Sequence, residues 1–298
     1  MNTELLSPAG SLKNMRYAFA YGADAVYAGQ PRYSLRVRNN EFDHDNLKIG
    51  IEEAHSLGKK FYVVVNIQPH NSKLKNFIRD LSPIIEMKPD ALIMSDPGLI
   101  MMVREHFPDM PIHLSVQANA INWATVKFWK DYGLSRVILS RELSLDEIEE
   151  IKNNVPDIEL EVFVHGALCM AYSGRCLLSG YMNKRDANQG ACTNACRWEY
   201  KIHDAQEDSN GDVIPVQQFE NSKACCSKSS HDRNTINPVL VQRNDEDMFA
   251  AEEDEHGTYF MNSKDLRAVQ HVERLSQMGV ASLKIEGRTK SYFYCFIL

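Results

Sequence analysis

Four cysteines, Cys169, Cys176, Cys192 and Cys196, follow one another in the spacing C-x6-C-x15-C-x3-C. Thiolates are soft ligands, and four in one segment suit an iron–sulfur cluster or a zinc ion. Structural zinc sites usually draw ligands from tight knuckles of two to four intervening residues, so the long gaps favour an iron–sulfur cluster. Three cysteines remain. Cys225 and Cys226 are adjacent, and one of them is the alternative to Cys196 as fourth ligand, while Cys295 lies in an aromatic tail. The opening Met1-Asn2-Thr3-Glu4 has no basic and apolar signal segment, and no apolar run reaches the roughly 20 residues of a membrane span. A cytoplasmic setting is expected, where reduced thiols bind metal rather than pair.

Basic and aromatic side chains crowd the same segment: Arg175, Lys184, Arg185, Arg197, Trp198 and Tyr200. Guanidinium forks hold phosphates or carboxylates and rings stack on bases, which is how loop RNA is gripped. A second group is Arg32, Tyr33, Arg36 and Arg38. Together Arg32, Arg36, Arg38, Arg175 and Arg197 are expected to form an anion-binding rim. The net charge of −7 does not oppose this, because 13 of 40 acidic but 5 of 33 basic residues fall between Lys201 and Gly257. The rest of the chain is near neutral, and local patches set the field a ligand meets.

These side chains need a frame, and periodicity supplies one. Seven short apolar runs, from Glu4-Leu5-Leu6-Ser7 to Leu160-Glu161-Val162-Phe163-Val164-His165, alternate with amphipathic stretches, the pattern of βα units. Ser144-Leu145-Asp146-Glu147 has the spacing of a capping box. After a long interruption comes a helix-like stretch from Lys264 to Met278 and an eighth run, Ser282-Leu283-Lys284-Ile285-Glu286-Gly287. Eight units without a Gly-x-Gly-x-x-Gly turn predict an α/β fold of the TIM (β/α)8 type rather than an open doubly wound sheet. The carboxyl ends of the strands should then carry the site, with Asn66, Gln117, Arg141, His165 and Glu286 among the polar residues there, and His165 and Glu286 as candidate catalytic groups. The expected organisation is 1–166 for strands one to seven, 167–200 for a Cys-rich cluster-binding insertion, 201–257 for an acidic mobile insertion, and 258–298 for strand eight and the chain end. The last residue, eleven past Gly287, leaves no room for a full eighth helix, so a truncated carboxyl end is expected.

The run Glu161-x-Phe163-x-x-Gly166-Ala167-Leu168-Cys169-x4-Gly174-x-Cys176-x-Leu178-Ser179 resembles the signature of the collagenase-like peptidase family. Glu4-Leu5-Leu6-Ser7-Pro8-Ala9-Gly10, Gly22-Ala23-Asp24-Ala25-Val26-Tyr27 and Ser282-Leu283-Lys284-Ile285-Glu286-Gly287-Arg288 carry the same resemblance. The segments Gly29 to Asn40 and Asn188 to Trp198 look most like the tRNA hydroxylation branch of that family. The resemblance implies a TIM barrel with a 4Fe-4S cluster, tRNA as substrate, and oxygen-independent conversion of wobble uridine to 5-hydroxyuridine with prephenate as oxygen source. It also implies a further C-terminal domain in full-length relatives. Some relatives place a ligand cysteine in the segment matching Asp265-Leu266-Arg267; Arg267 stands here, so Cys196 is assigned as fourth ligand. The competing functions are proteolysis, the family's historical label, and a non-catalytic partner subunit, since related proteins act in pairs. Against proteolysis, the chain has no His-Glu-x-x-His motif and no Gly-x-Ser-x-Gly elbow. His165 and Cys169 could be imagined as base and nucleophile, but a thiolate bound to iron is no free nucleophile.

Overall fold

The computed structural model describes residues 3–35, 40–167 and 265–287, together with four strands between 201 and 253. The chain divides into two compact units, Met1–Thr193 with Lys264–Leu298, and Asn194–Ser263. In the first unit, strands β1 (Glu4–Pro8), β2 (Ala25–Gly29), β3 (Lys60–Val65), β4 (Ala91–Met94), β5 (Ile112–Leu114), β6 (Arg136–Ile138) and β7 (Glu159–Ala167) run parallel in sequence order. A later strand, here β13 (Ser282–Ile285), sits between β7 and β1, and β6 pairs with β7, so the sheet closes into an eight-stranded barrel. All eight strands coincide with the apolar runs of the sequence. The TIM-type fold is therefore confirmed.

Helices α1 (Leu12–Ala20), α2 (His44–Ser56), α3 (Asn71–Leu74), α4 (Phe77–Glu86), α5 (Pro97–His106), α6 (Trp123–Asp131) and α7 (Leu145–Asn154) connect the parallel strands. Their starts are written in short polar side chains. Ser11, Asp43, Asp96, Asn122 and Ser144 each accept a backbone N–H three residues on, and Ser144 with Glu147 completes the expected capping box. Alternation along the strands sorts the core. Val26, Ala28, Phe61, Val63, Val65, Leu92 and Met94 pack outward with the helices, whereas Leu6, Tyr27, Tyr62, Val64, Ile93, Ile138 and Phe163 fill the barrel.

The amino-terminal half of the barrel interior is ionic. Arg136 reaches Glu4 (2.6 Å), Glu159 (2.7 Å) and Glu161 (3.0 Å), Lys284 Nζ meets Glu161 (2.7 Å), and Tyr62 Oη donates to Glu4 (2.7 Å). His113 lies edge-on to Tyr62 within this network, its ring centroid 4.7 Å away. Burial, reinforced by Arg136, Lys284 and Lys60, holds its imidazole well below the ordinary 6.5. The unfolded chain takes up that proton near 6.5 and the folded chain does not. Stability is thus full above 6.5 and falls below it, by up to about 1.4 kcal/mol per pH unit for this one group. Replacing His113 by Phe, which keeps a ring against Tyr62, is expected to reduce that slope in urea titrations just below pH 6.5; an unchanged slope would assign it elsewhere.

Two sequence expectations are corrected. The stretch from Lys264 to Met278 is not one helix: Asp265–Arg267 form strand β12, followed by a 3-10 turn and the short helix α8 (Val272–Gln277). The reason is β7, which at nine residues outruns β6 and leaves backbone groups that β12 pairs antiparallel, Arg267 opposite His165 and Asp265 opposite Ala167. The segment Lys201 to Gly257, expected as an acidic mobile insertion on its weak periodicity, contains β8 (Lys201–Glu207), β9 (Val213–Pro215), β10 (Asn237–Gln242) and β11 (Met248–Glu253) in an antiparallel sheet ordered β11-β10-β8-β9. Glu252 and Glu253 end β11 opposite Pro238 and Asn237. Among the described residues no helix is long and apolar enough to cross a membrane.

Candidate functional site at the carboxyl end of the barrel

Strand parity carries the inward positions past the apolar middle to a polar mouth. Asn66 continues β3, Ser95 β4, Ser115 β5, Ser140 β6, His165 lies within β7 and Glu286 follows β13. Asn66, Ser95, Ser115, Gln117, Ser140 and Glu286 are all buried. Several are wired together. Ser95 Oγ donates to the Asn66 carbonyl (3.0 Å), Asn66 Nδ2 to Ser115 Oγ (3.3 Å), and Ser115 Oγ to Gln117 Oε1 (3.4 Å).

The loop after β2 is pinned over the same end. Gln30 Oε1 accepts from the backbone of Arg32 (2.7 Å) and Tyr33 (2.6 Å), Asn40 Nδ2 donates to the Gly29 carbonyl (2.6 Å), and Asn66 Oδ1 accepts from Leu35 N–H (3.1 Å). Tyr33 is buried against Phe77 and donates to Asp80 (3.0 Å); burial and that carboxylate push its phenol up to about 12. Of the expected rim, Arg32 pairs with Asp80 on α4 at 2.6 Å. Arg36, Arg38, Arg175 and Arg197 fall outside the described residues, as do Cys169, Cys176, Cys192 and Cys196. Among the described residues no three His, Cys, Asp or Glu side chains group as a metal site.

Both catalytic candidates lie in the mouth. The Glu286 N–H donates to the His165 carbonyl (2.8 Å), joining the two strand ends. The Glu286 carboxylate sits 3.4 Å from Tyr27 Oη and 3.8 Å from the Arg141 guanidinium, which lies 3.7 Å over the Phe163 ring. Tyr27 Oη itself donates to the Ile285 carbonyl (2.8 Å), and Lys284 Nζ is 4.3 Å from the Tyr27 ring centre. His165 is half-buried; burial holds its imidazole below the ordinary value, Asp265 opposes this and Arg267 adds to it. The neutral imidazole is favoured by that burial. Strand-end reasoning found Asn66, Gln117, Arg141, His165 and Glu286, but missed Gln30 and Asn40, which pin a loop rather than close a strand, and Ser115 and Lys284, whose partners Asn66 and Glu161 are remote in sequence.

Gly166 permits the junction of β7 and β13. Its φ is +108°, and a Cβ there would stand 2.2 Å from the Glu286 carbonyl oxygen. Gly166→Ala combines left-handed strain with a backbone collision, and is expected to cost about 3 kcal/mol or more and to displace Glu286. Urea unfolding checks the first effect, and a loss below about 1 kcal/mol would contradict it.

Comparison with known proteins follows the same outline. The model of peptidase family U32 matches residues 10–296. Two relatives named tRNA hydroxylation protein P are similar over 98% of this chain: 71% identical in Escherichia coli K12 and 73% in Haemophilus influenzae Rd, in each case covering 65% of the relative. A 23S rRNA 5-hydroxycytidine synthase of Escherichia coli K12 is 36% identical over 98% of this chain and 37% of its own length. This chain thus spans a little under two thirds of the two most similar of these proteins. With a family match across nearly its whole length and the barrel and mouth described above, the chain belongs to peptidase family U32.

Proposed function

We propose that this chain carries the catalytic barrel of a tRNA-modifying enzyme that hydroxylates the wobble uridine to 5-hydroxyuridine without molecular oxygen, with prephenate as co-substrate. The observation that carries the reading is the identity of 71–73% over 98% of the chain to two proteins named for tRNA hydroxylation. Cys169, Cys176, Cys192 and Cys196 would hold a 4Fe-4S cluster. The donor set fits: four thiolates, the first only two residues beyond the end of β7 at the barrel mouth. When bound, such a cluster supplies one-electron chemistry and a Lewis-acidic iron.

The chain's own residues do the rest. Tyr27, Phe163 and Ile138 form an apolar floor that excludes water below the mouth. Arg141, locked on Phe163, offers a fixed cation. His165, whose neutral imidazole burial favours, is the candidate base at the mouth. Arg32 and the expected partners Arg36, Arg38, Arg175 and Arg197 hold RNA phosphates or the carboxylates of the small acid.

The test is to incubate anaerobically prepared protein with unmodified tRNA and prephenate, and separately with a collagen-like peptide. 5-Hydroxyuridine formed without oxygen, with the peptide intact, is the expected result. Peptide cleavage without nucleoside change would establish proteolysis instead, and activity only on adding a second protein would make the chain a partner subunit.

A further inference from the structure

The outer face of α6 is aromatic where that of the next helix is acidic. α7 turns Asp146, Glu149, Glu150 and Asn153 to solvent, whereas α6 exposes Trp123, Ala124, Phe128 and Tyr132 along its whole length, with Lys127 and Asp131 between them. Helical spacing explains the division: Val126 and Trp129 face the core, so positions 124, 127, 128 and 131 face away from it. The rings are held in place. Phe128 stacks on Tyr132 with 6.2 Å between centroids and 12° between planes, and both meet the buried Trp129 edge-on. Arg104 of α5 donates to the Gly133 carbonyl and fixes the end of the helix. Side chains already ordered lose little freedom when covered. Trp123 is 43% exposed, Phe128 58% and Tyr132 41%. At about 150–250 Å² per aromatic side chain, roughly 300 Å² of ring surface stays in water, the size at which a patch marks an interface.

We infer that α6 docks a second copy of this chain, lying antiparallel to the α6 of that copy about a two-fold axis beside Phe128. The charges select this occupant. Lys127 and Asp131 form an i,i+4 ion pair on the outer face, with side chains 56% and 58% exposed. A two-fold axis at Phe128 reverses the helix, so Lys127 stands within about 3 Å, along the helix, of the level of Asp131 in the other copy, and Asp131 of Lys127. The two ion pairs then lie head to tail. Each charge keeps its own partner and gains an opposite one across the axis. Ala124, the smallest side chain of the face, falls opposite Tyr132 of the other copy and leaves room for its ring. Such self-complementarity is what a two-fold dimer requires. A polyanion finds no match, because Lys127 and Asp131 cancel. The area also sets the strength. Two such faces cover about 600 Å² of ring surface, and with their polar margin reach at most about 1,200 Å², the low end of specific interfaces, so the dimer is weak and reversible.

The experiment is analytical ultracentrifugation of the full chain, with its thiols kept reduced, from about 1 to 100 µM. Wild type should pass from monomer to dimer within that range. Phe128→Glu should weaken association about tenfold or more, and at the dilute end should leave the thermal transition unchanged, because the side chain is exposed. Lys127→Glu and Asp131→Lys should each weaken association several-fold. The double variant, which restores opposite charges across the axis, should recover it. A wild-type chain that stays monomeric throughout, a dimer indifferent to Phe128→Glu, or a double variant no better than its singles would overturn the inference. Titration with unmodified tRNA in parallel covers the other occupant: a monomeric chain whose tRNA binding falls in Phe128→Glu would give the face to RNA.

Discussion

Replacing Arg136 by methionine is expected to lower the unfolding free energy of the barrel by about 3–5 kcal/mol, the range for removing one partner of a buried ion pair. Its side chain is 3% exposed and stands against Glu161 at 0% and Glu4 at 9%. Without the guanidinium, Glu161 retains Lys284, but among the described residues Glu4 keeps only Tyr62 and the exposed Lys60. The shift in melting temperature should be about 10 °C, at about 2–4 °C per kcal/mol for a unit of this size. A pH signature accompanies it. Burial works to raise the Glu4 carboxyl, but the bonds and charge of Arg136 more than offset this and hold it below 4.5. Its contribution is full above 4.5 and is lost as pH falls through the depressed value. In the variant burial is less opposed, so acid unfolding should begin at higher pH. Adding Glu4→Gln to the variant should recover part of the loss, and a single-variant loss below about 1 kcal/mol would show that the network relaxes or hydrates.

Changing any one of Cys169, Cys176, Cys192 and Cys196 to alanine is expected to abolish hydroxylation and bleach the broad visible absorption of anaerobically purified protein. Cluster assembly depends on a full ligand set, and an incomplete thiolate cage loses iron. Cys225→Ala and Cys226→Ala should retain both colour and activity. If Cys196→Ala keeps the cluster while one of those two loses it, the fourth ligand moves to the insertion. Stoichiometric zinc without iron in the unsubstituted protein would contradict the cluster itself.

Much of the barrel could be read from residues because its information is local. Each strand is a short apolar run, and each long connecting helix but α4 opens on a Ser, Asp or Asn that caps it through its side chain. Strand β12 escaped notice because Leu266, Val269 and Val272 repeat every three residues like a helix face, and only the overrun of β7 past β6 makes Asp265–Arg267 extended. Strands β8 to β11 were hidden by their acidic surroundings. The site divides in the same way. Asn66, Gln117, Arg141, His165 and Glu286 stand out as polar residues closing apolar runs. The pairing of Lys284 with Glu161 across 123 positions, or of Arg136 with Glu4 across 132, has no local signature. Nor does the collision that requires glycine at 166, since its other party is the backbone of Glu286.

The central claim, hydroxylation of uridine without molecular oxygen at this barrel mouth, meets its most direct test in an isotope experiment. Strictly anaerobic protein is supplied with unmodified tRNA and prephenate carrying heavy oxygen in its hydroxyl group, and the wobble nucleoside is weighed by mass spectrometry. The account predicts 5-hydroxyuridine that carries the heavy label. An unlabelled product, or one that forms only when air is admitted, would contradict it.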